Sequence, residues 1–395
     1  MFIPKTHIIT LEMAKATPIG VKMVAANLNL LSPKHCYLSA FLLQERRKSE
    51  SFWTPYLNIL PQYFSSFPIF YGAEEKFQLT GSPFLDTISE KAADIEIDYR
   101  AVCAVAPEFA AFSIEEFSRM RMAVSSRIFG MEIDGVKTDG FVPLADMLNH
   151  RRPRQTSWTY DQERGGFTIE ALEDIQRGDE VLDSYGRKCN YRFLLNYGFI
   201  NRENDADEYP LKLALDPSDQ CFEAKASLVQ GQDPFTVRLM ASTNEQAFTE
   251  LFGLLRFLEF DDKRGLAKLI QECTDTETGI FKPTLMLKQS FHNEQRALLR
   301  LKAIMEERLS LYSTTLEQDL DLLQTQLAEN QRNIVMIRKG EKVILGWYLQ
   351  LVEVCLPILL SADMKELRSR KKTGTPYDDY ISQVVTPLVR AEITG

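Results

Sequence analysis

Residues 141–158 read FVPLADMLNHRRPRQTSW, and residues 177–199 read RGDEVLDSYGRKCNYRFLLNYGF. In the first stretch an apolar, strand-like run ends on Asp146 and the polar pair Asn149-His150, then turns into the basic loop Arg151–Arg154. Taken alone, a strand closing in a solvated turn accounts for that order. In the second, Gly178 marks a turn, a short strand follows, and Ser184-Tyr185-Gly186 leads into a helix expected to stop at Gly198. Reading the two stretches together decides the fold.

Between them, TSWTY and FTIEA alternate apolar and polar side chains across DQERGG, the pattern of a β-hairpin. Upstream, residues 1–35 are short and mixed, with FIPKTHIIT as strand and turn, and residues 36–125 are largely helical and rich in aromatics. From about residue 205 the pattern is helical. Ser242–Glu245 and Thr314–Glu317 fit capping boxes, and Leu316, Leu320, Leu323 and Leu327 form a stripe expected to be a core face. Residues 361–395 read as a polar linker and a final short helix.

The 395 residues are 45% hydrophobic and 26% charged, with a net charge of −9, an ordinary globular composition sufficient for two or three domains. The acidic balance argues against a broad nucleic-acid surface. The six cysteines never form CxxC, so neither a disulfide framework nor a cysteine zinc cluster is suggested and a reducing compartment is favoured. No signal peptide is visible at the start. Residues 343–360, VILGWYLQLVEVCLPILL, approach the length of a membrane span, but Gln350, Glu353 and Pro357 favour a buried helix.

Four histidines without HExxH give no metal site, and a Walker loop, a GxSxG elbow and a GxGxxG loop are all missing. What remains is a polar constellation: Asp146, Asn149, His150, Ser184-Tyr185-Gly186, Asn190 and Tyr197.

PLADMLNH followed by RGDEVLDSYGRKCNYRFLLNYGF resembles the SET-domain protein methyltransferases. The nearer likeness is to the branch of the Rubisco large-subunit lysine methyltransferase and the actin-histidine methyltransferase. SFWTPYLNILP and FQLTGSPFLD resemble that branch's helical insert, AVSSRIFG its Ser-Arg segment, and LYSTTLEQDLDLL its substrate-binding domain. The resemblance implies an α+β fold: a β-rich SET core with knot-like threading over residues 1–204, a helical insert at about 36–125, a helical substrate-binding domain over 205–360 and a tail over 361–395. It further implies S-adenosylmethionine as methyl donor, a non-histone protein substrate, no nucleic acid or membrane partner, a monomer, and a cytoplasmic setting with nucleus and plastid as alternatives. Tyr185 matches the catalytic tyrosine that orients methyl and amine. Asn149 and His150 match the pair that binds the donor, Glu12 and Arg127 match positions near its amino-acid end, and Asp146 would lend its carbonyl to the amine channel.

The same resemblance bears on the acceptor. The actin-histidine enzyme has asparagine where this chain has Phe129, tryptophan where it has Ala145, and serine where it has Tyr197. An apolar wall at Phe129 and space at Ala145 favour a lysine channel lined by Phe129, Tyr185 and Tyr197, with histidine the alternative and a catalytically inactive SET-like scaffold a further one. The family's core opens with a strand and glycine loop ahead of an IP segment. This chain opens at MFIP, so the expectation is either a longer natural protein or weakened donor binding. The basic run RRPR is expected to be a solvated loop.

Overall fold

A computed structural model of the protein describes residues 1–263, 265–361 and 375–394. The chain divides into two compact units, one of residues 1–74 and 84–203, the other of residues 75–83 and 204–395.

Three small sheets organise the first unit. In one, β1 (Phe2–Pro4) pairs antiparallel with β7 (Gly166–Ala171), which pairs in turn with β6 (Thr156–Asp161). The β6–β7 hairpin falls where the alternation of TSWTY and FTIEA predicts it, with Trp158 opposite Ile169. In the second, β2 (Ile9–Thr10) and β3 (Ile128–Ile133) flank β4 (Val136–Phe141). Asp134 and Gly135, both at positive φ, close the β3–β4 turn in two residues, the geometry that matches strand twist. The third sheet is a parallel pair of two-residue strands, β5 (Asn149–His150) and β8 (Leu182–Asp183). That pairing lays the Asn149-His150 segment beside the segment that ends in Tyr185-Gly186.

Helices fill the rest of the unit: α1 (Leu11–Lys15), α2 (Pro18–Ala25), α3 (Pro33–Arg46), α4 (Thr54–Ile59), α5 (Ala73–Phe77, where the chain leaves the unit), α6 (Phe84–Val105), α7 (Ile114–Arg127) and α8 (Asn190–Tyr197). Helix α7 starts at a full capping box, Ser113 with Glu116, which satisfies two otherwise orphaned N–H groups. Helix α8 ends where Gly198 takes φ 77°, and a Cβ there would lie 2.7 Å from the Phe67 ring. Only glycine meets both demands.

The second unit holds the hairpin of β9 (Tyr209–Leu213) and β10 (Phe235–Leu239), then α9 (Phe222–Val229), α10 (Gln246–Leu258), α11 (Leu266–Cys273), α12 (Phe291–Ser310), α13 (Leu316–Leu323), α14 (Glu329–Ser361) and α15 (Thr386–Thr394). Helix α14 is apolar and long enough to cross a membrane by length and composition, but half of its most apolar window is buried. Its Ile344, Leu345, Tyr348, Leu351, Val352, Cys355, Ile358 and Leu359 belong to the unit's core, the burial expected for residues 343–360. Tyr377, Tyr380, Ile381, Val385, Leu388 and Val389 join the same core, so the closing helix α15 and the residues just before it pack into the unit. Residues 362–374, read from the sequence as a polar linker, lie outside the described residues.

Three local expectations are corrected. No capping box forms at Ser242–Glu245; Glu245 itself is the N-cap of α10, and the Ser242 hydroxyl accepts instead from the Asn244 N–H. The second box sits one residue on, at Thr315 with Gln318. The leucine stripe is not a core face: Leu320 is exposed and the buried residue of α13 is Asp319. Asp319 faces inward because Arg338 and Lys342 of α14 bind its two oxygens, each at 2.6 Å.

Candidate active site

A cavity of about 160 Å³ lies in the first unit, walled by the end of α7, the start of β3, the turn at Ala145–Leu148, Trp158 of β6, the segment Asp183–Tyr185, and Tyr197 at the end of α8. It gathers six of the nine residues to which the resemblance gives a role, Arg127, Phe129, Ala145, Asp146, Tyr185 and Tyr197, together with Ser184. Glu12, Asn149 and His150 stand outside its lining.

Tyr185 follows β8, and the parallel β5–β8 pairing fixes it. Its N–H donates to His150 Nδ1 at 3.0 Å, and its hydroxyl donates to the Leu148 carbonyl at 2.6 Å. The ring stacks between His150 (5.2 Å) and Tyr197 (4.8 Å). Burial pushes the phenol up to about 12, so the hydroxyl keeps its proton near neutrality. The Lys188 ammonium donates to the Tyr185 carbonyl and lies 5.8 Å from the centre of the Tyr197 ring.

His150 accepts at Nδ1, which places the proton of the neutral ring on Nε2. That Nε2 is buried and has no partner among the described residues. Burial, then Lys188 and Arg152, lower the pKa of the ring, so it stays neutral. The Asn149 side chain is exposed and donates to Glu180 Oε1 at 2.5 Å. Glu12, also exposed, accepts from the Thr138 hydroxyl at 2.7 Å.

Asp146 is the polar centre of the cavity wall. Leu144, at φ 76° and ψ −42°, makes the sharp entry into its turn, an uncommon conformation for a branched residue. Asp146 Oδ2 accepts from the Tyr56 hydroxyl at 2.7 Å and from Arg127 Nη1 at 3.3 Å, and Arg127 Nη1 also donates to the Asp146 carbonyl at 3.0 Å. The carbonyl expected to face an amine therefore already holds a guanidinium. Oδ1 is buried with no partner among the described residues. Desolvation raises the carboxyl's pKa, while the Tyr56 and Arg127 bonds pull the other way.

The opposite wall is apolar. Phe129 meets Trp158 edge-on at 5.3 Å and Phe167 at 5.1 Å. Trp158 was not singled out in the sequence, although strand alternation puts it on one face with Tyr160, a usable signal. Tyr56 carried no such signal: it comes from α4, 90 residues before Asp146. Arg151 pairs with Glu173 at 2.8 Å in the basic loop, close to its solvated reading.

Comparison with solved structures decides the fold. The chain superposes on "Crystal structure of the SET domain of LSMT bound to Lysine and AdoHcy" with a TM-score of 0.74 at 22% identity, over 97% of this chain and 88% of that one. The fold is that of the LSMT branch of SET proteins. "Structure of Rubisco LSMT bound to AdoMet" matches alike, with a TM-score of 0.73 at 23% identity over the same shares of the two chains. Residues 216–345, within the second unit, match the Rubisco LSMT substrate-binding family model. Among sequence relatives, the actin-histidine N-methyltransferase of Mus musculus is 25% identical over 366 residues, and that of Homo sapiens is 24% identical. Each alignment covers 87% of this chain, and the chain spans 60% of the length of these relatives. The cavity lies in the first unit, where the two sequence motifs meet.

Proposed function

We propose that this chain is an S-adenosylmethionine-dependent protein N-methyltransferase. The observation that carries the reading is the β5–β8 pairing, which sets the Tyr185 hydroxyl on the Leu148 carbonyl in a cavity shared with Arg127, Asp146 and Tyr197. The buried Nε2–H of His150, lacking a partner among the described residues, suits a ligand acceptor beside the motif. S-adenosylmethionine supplies an electrophilic methyl on a sulfonium centre.

The rest falls to the chain's own groups. A nitrogen nucleophile must be neutral to attack, and a wall of Phe129, Trp158 and Tyr197 disfavours a charged amine by desolvation. The protonated Tyr185 hydroxyl is a fixed dipole rather than a base. A cavity of about 160 Å³ has room for one side chain, so alignment of the acceptor nitrogen with the methyl does most of the work.

For the acceptor, the names of the sequence relatives favour histidine over the lysine expected from the sequence. A lysine acceptor stays as the second reading on one observation: Phe129 packs against Trp158 and Phe167 in the wall, and Ala145 is small and buried. Paired histidine and lysine peptides, methylated by the purified protein and read by mass spectrometry, separate the two. Calorimetric titration with S-adenosylmethionine tests the enzyme itself. Micromolar binding supports it, and no binding favours a SET-like scaffold.

A further inference from the structure

Lys91 of α6 is a half-buried cation outside the lining of the cavity. Its Nζ donates to Asn196 Oδ1 at 2.6 Å, to the Leu195 carbonyl at 3.4 Å and to Ser125 Oγ at 3.5 Å. Ser125 closes the network by donating to Asn196 Oδ1 at 3.2 Å, and Asn196 Nδ2 donates to the Arg192 carbonyl at 3.0 Å. Three ammonium hydrogens thus meet three oxygens, none of them a carboxylate.

The placement of those oxygens gives the network its meaning. Ser125 is two residues before Arg127, the last residue of α7, and Asn196 is one residue before Tyr197, the last residue of α8. Both of those terminal residues line the cavity. An ammonium at the carbonyl end of α8 also sits where the helix dipole favours it.

We infer that Lys91 is a positioning residue that ties the ends of α7 and α8 together and so sets Arg127 and Tyr197 in the cavity. The inference rests on the methyltransferase reading for its effect on rate, but the tether itself does not. Around Lys91, α7 contributes Arg121, which is paired with Asp98 of α6 at 2.8 Å, and α3 contributes His35. Burial first, and Arg121 second, bring Lys91 down from 10.5 to about 8. Between pH 8 and 10.5 the unfolded chain holds a proton here that the folded chain has released, so the Lys91 contribution to stability rises with pH. The tether weakens over that range, because a neutral amine has two donors and turns a lone pair toward an oxygen. Stability and activity therefore move in opposite directions, which a purely structural lysine would not produce.

The test compares the wild type with Lys91→Met and Lys91→Arg. At pH 7 Lys91→Met is expected to lose about tenfold in kcat, the scale of a small misplacement in an active site, without loss of thermal stability. The gap should narrow toward unity above pH 8, whereas Lys91→Arg keeps most of the rate at every pH. Amide exchange should quicken at residues 125–128 and 195–198 in Lys91→Met. Wild-type kcat and unchanged exchange in Lys91→Met would overturn the tether. Quickened exchange in a protein whose wild type transfers no methyl would uphold the tether and overturn the functional reading.

Discussion

Tyr56 shows how one side chain can govern a site from outside its motifs. Among the described residues its hydroxyl is one of two side-chain donors on the Asp146 carboxylate, the other being Arg127, and Oδ1 has no partner. Tyr56→Phe removes that donor without changing the ring, and should cost about 1–3 kcal/mol of stability by leaving a buried carboxylate under-satisfied. Because the Tyr56 bond opposes the upward push of burial, the Asp146 pKa should climb further in the variant. A carboxyl raised in the fold loses its stability contribution as pH rises through the raised value, so the variant's deficit should be smallest at acid pH and grow toward neutrality. Urea unfolding of wild type and variant across that pH range checks both. At this scale the sequence was legible where motif residues lie close to their partners. Arg127, Phe129, Ala145, Asp146, Tyr185 and Tyr197 converge, whereas Tyr56 meets Asp146 only through a tertiary contact that no local pattern encodes.

Among elements, α13 shows why periodicity can mislead. Its leucines repeat as a core face should, yet the helix turns Asp319 inward to meet Arg338 and Lys342. Burying one carboxylate between two cations overrides the preference of a short helix for its leucines. Asp319→Ala would leave both cations buried without that partner, and should destabilise the protein by about 3–5 kcal/mol in chemical denaturation. An exposed change such as Leu320→Gln, on the face the pattern favoured, should stay within about 0.5 kcal/mol. The β6–β7 hairpin and the Gly198 helix end were readable because alternation and glycine chemistry act locally. The shift of a capping box by one residue reflects two adjacent threonines, either of which could cap.

Across the whole molecule, residues 75–83 pass from the insert into the second unit. There the Ser82 hydroxyl donates to Glu341 Oε1 at 2.7 Å, the Tyr312 hydroxyl to Oε2 at 2.9 Å, and Arg338 Nη1 to the Gln78 carbonyl at 2.9 Å. Burial raises Glu341 from 4.5 to about 7, against the pull of those two hydroxyls and Lys342. Between these values the folded chain holds a proton that the unfolded chain has released, so stability should fall as pH rises from about 4.5 to about 7. Glu341→Gln should flatten that slope in thermal melts taken across the window. The sequence did not reveal this excursion of the chain, since FQLTGSPFLD reads as one local segment of the insert.

The central claim is methyl transfer at the Tyr185 cavity. Its most direct test is transfer from labelled S-adenosylmethionine to a protein extract by the wild type and by Tyr185→Phe, with the modified residues located by mass spectrometry. The account predicts methylated side-chain nitrogens with the wild type. Tyr185→Phe should lose about a hundredfold in rate while donor binding by calorimetry stays near the wild-type value. Transfer undiminished in Tyr185→Phe, or a wild type that neither binds the donor nor methylates any protein, would contradict it.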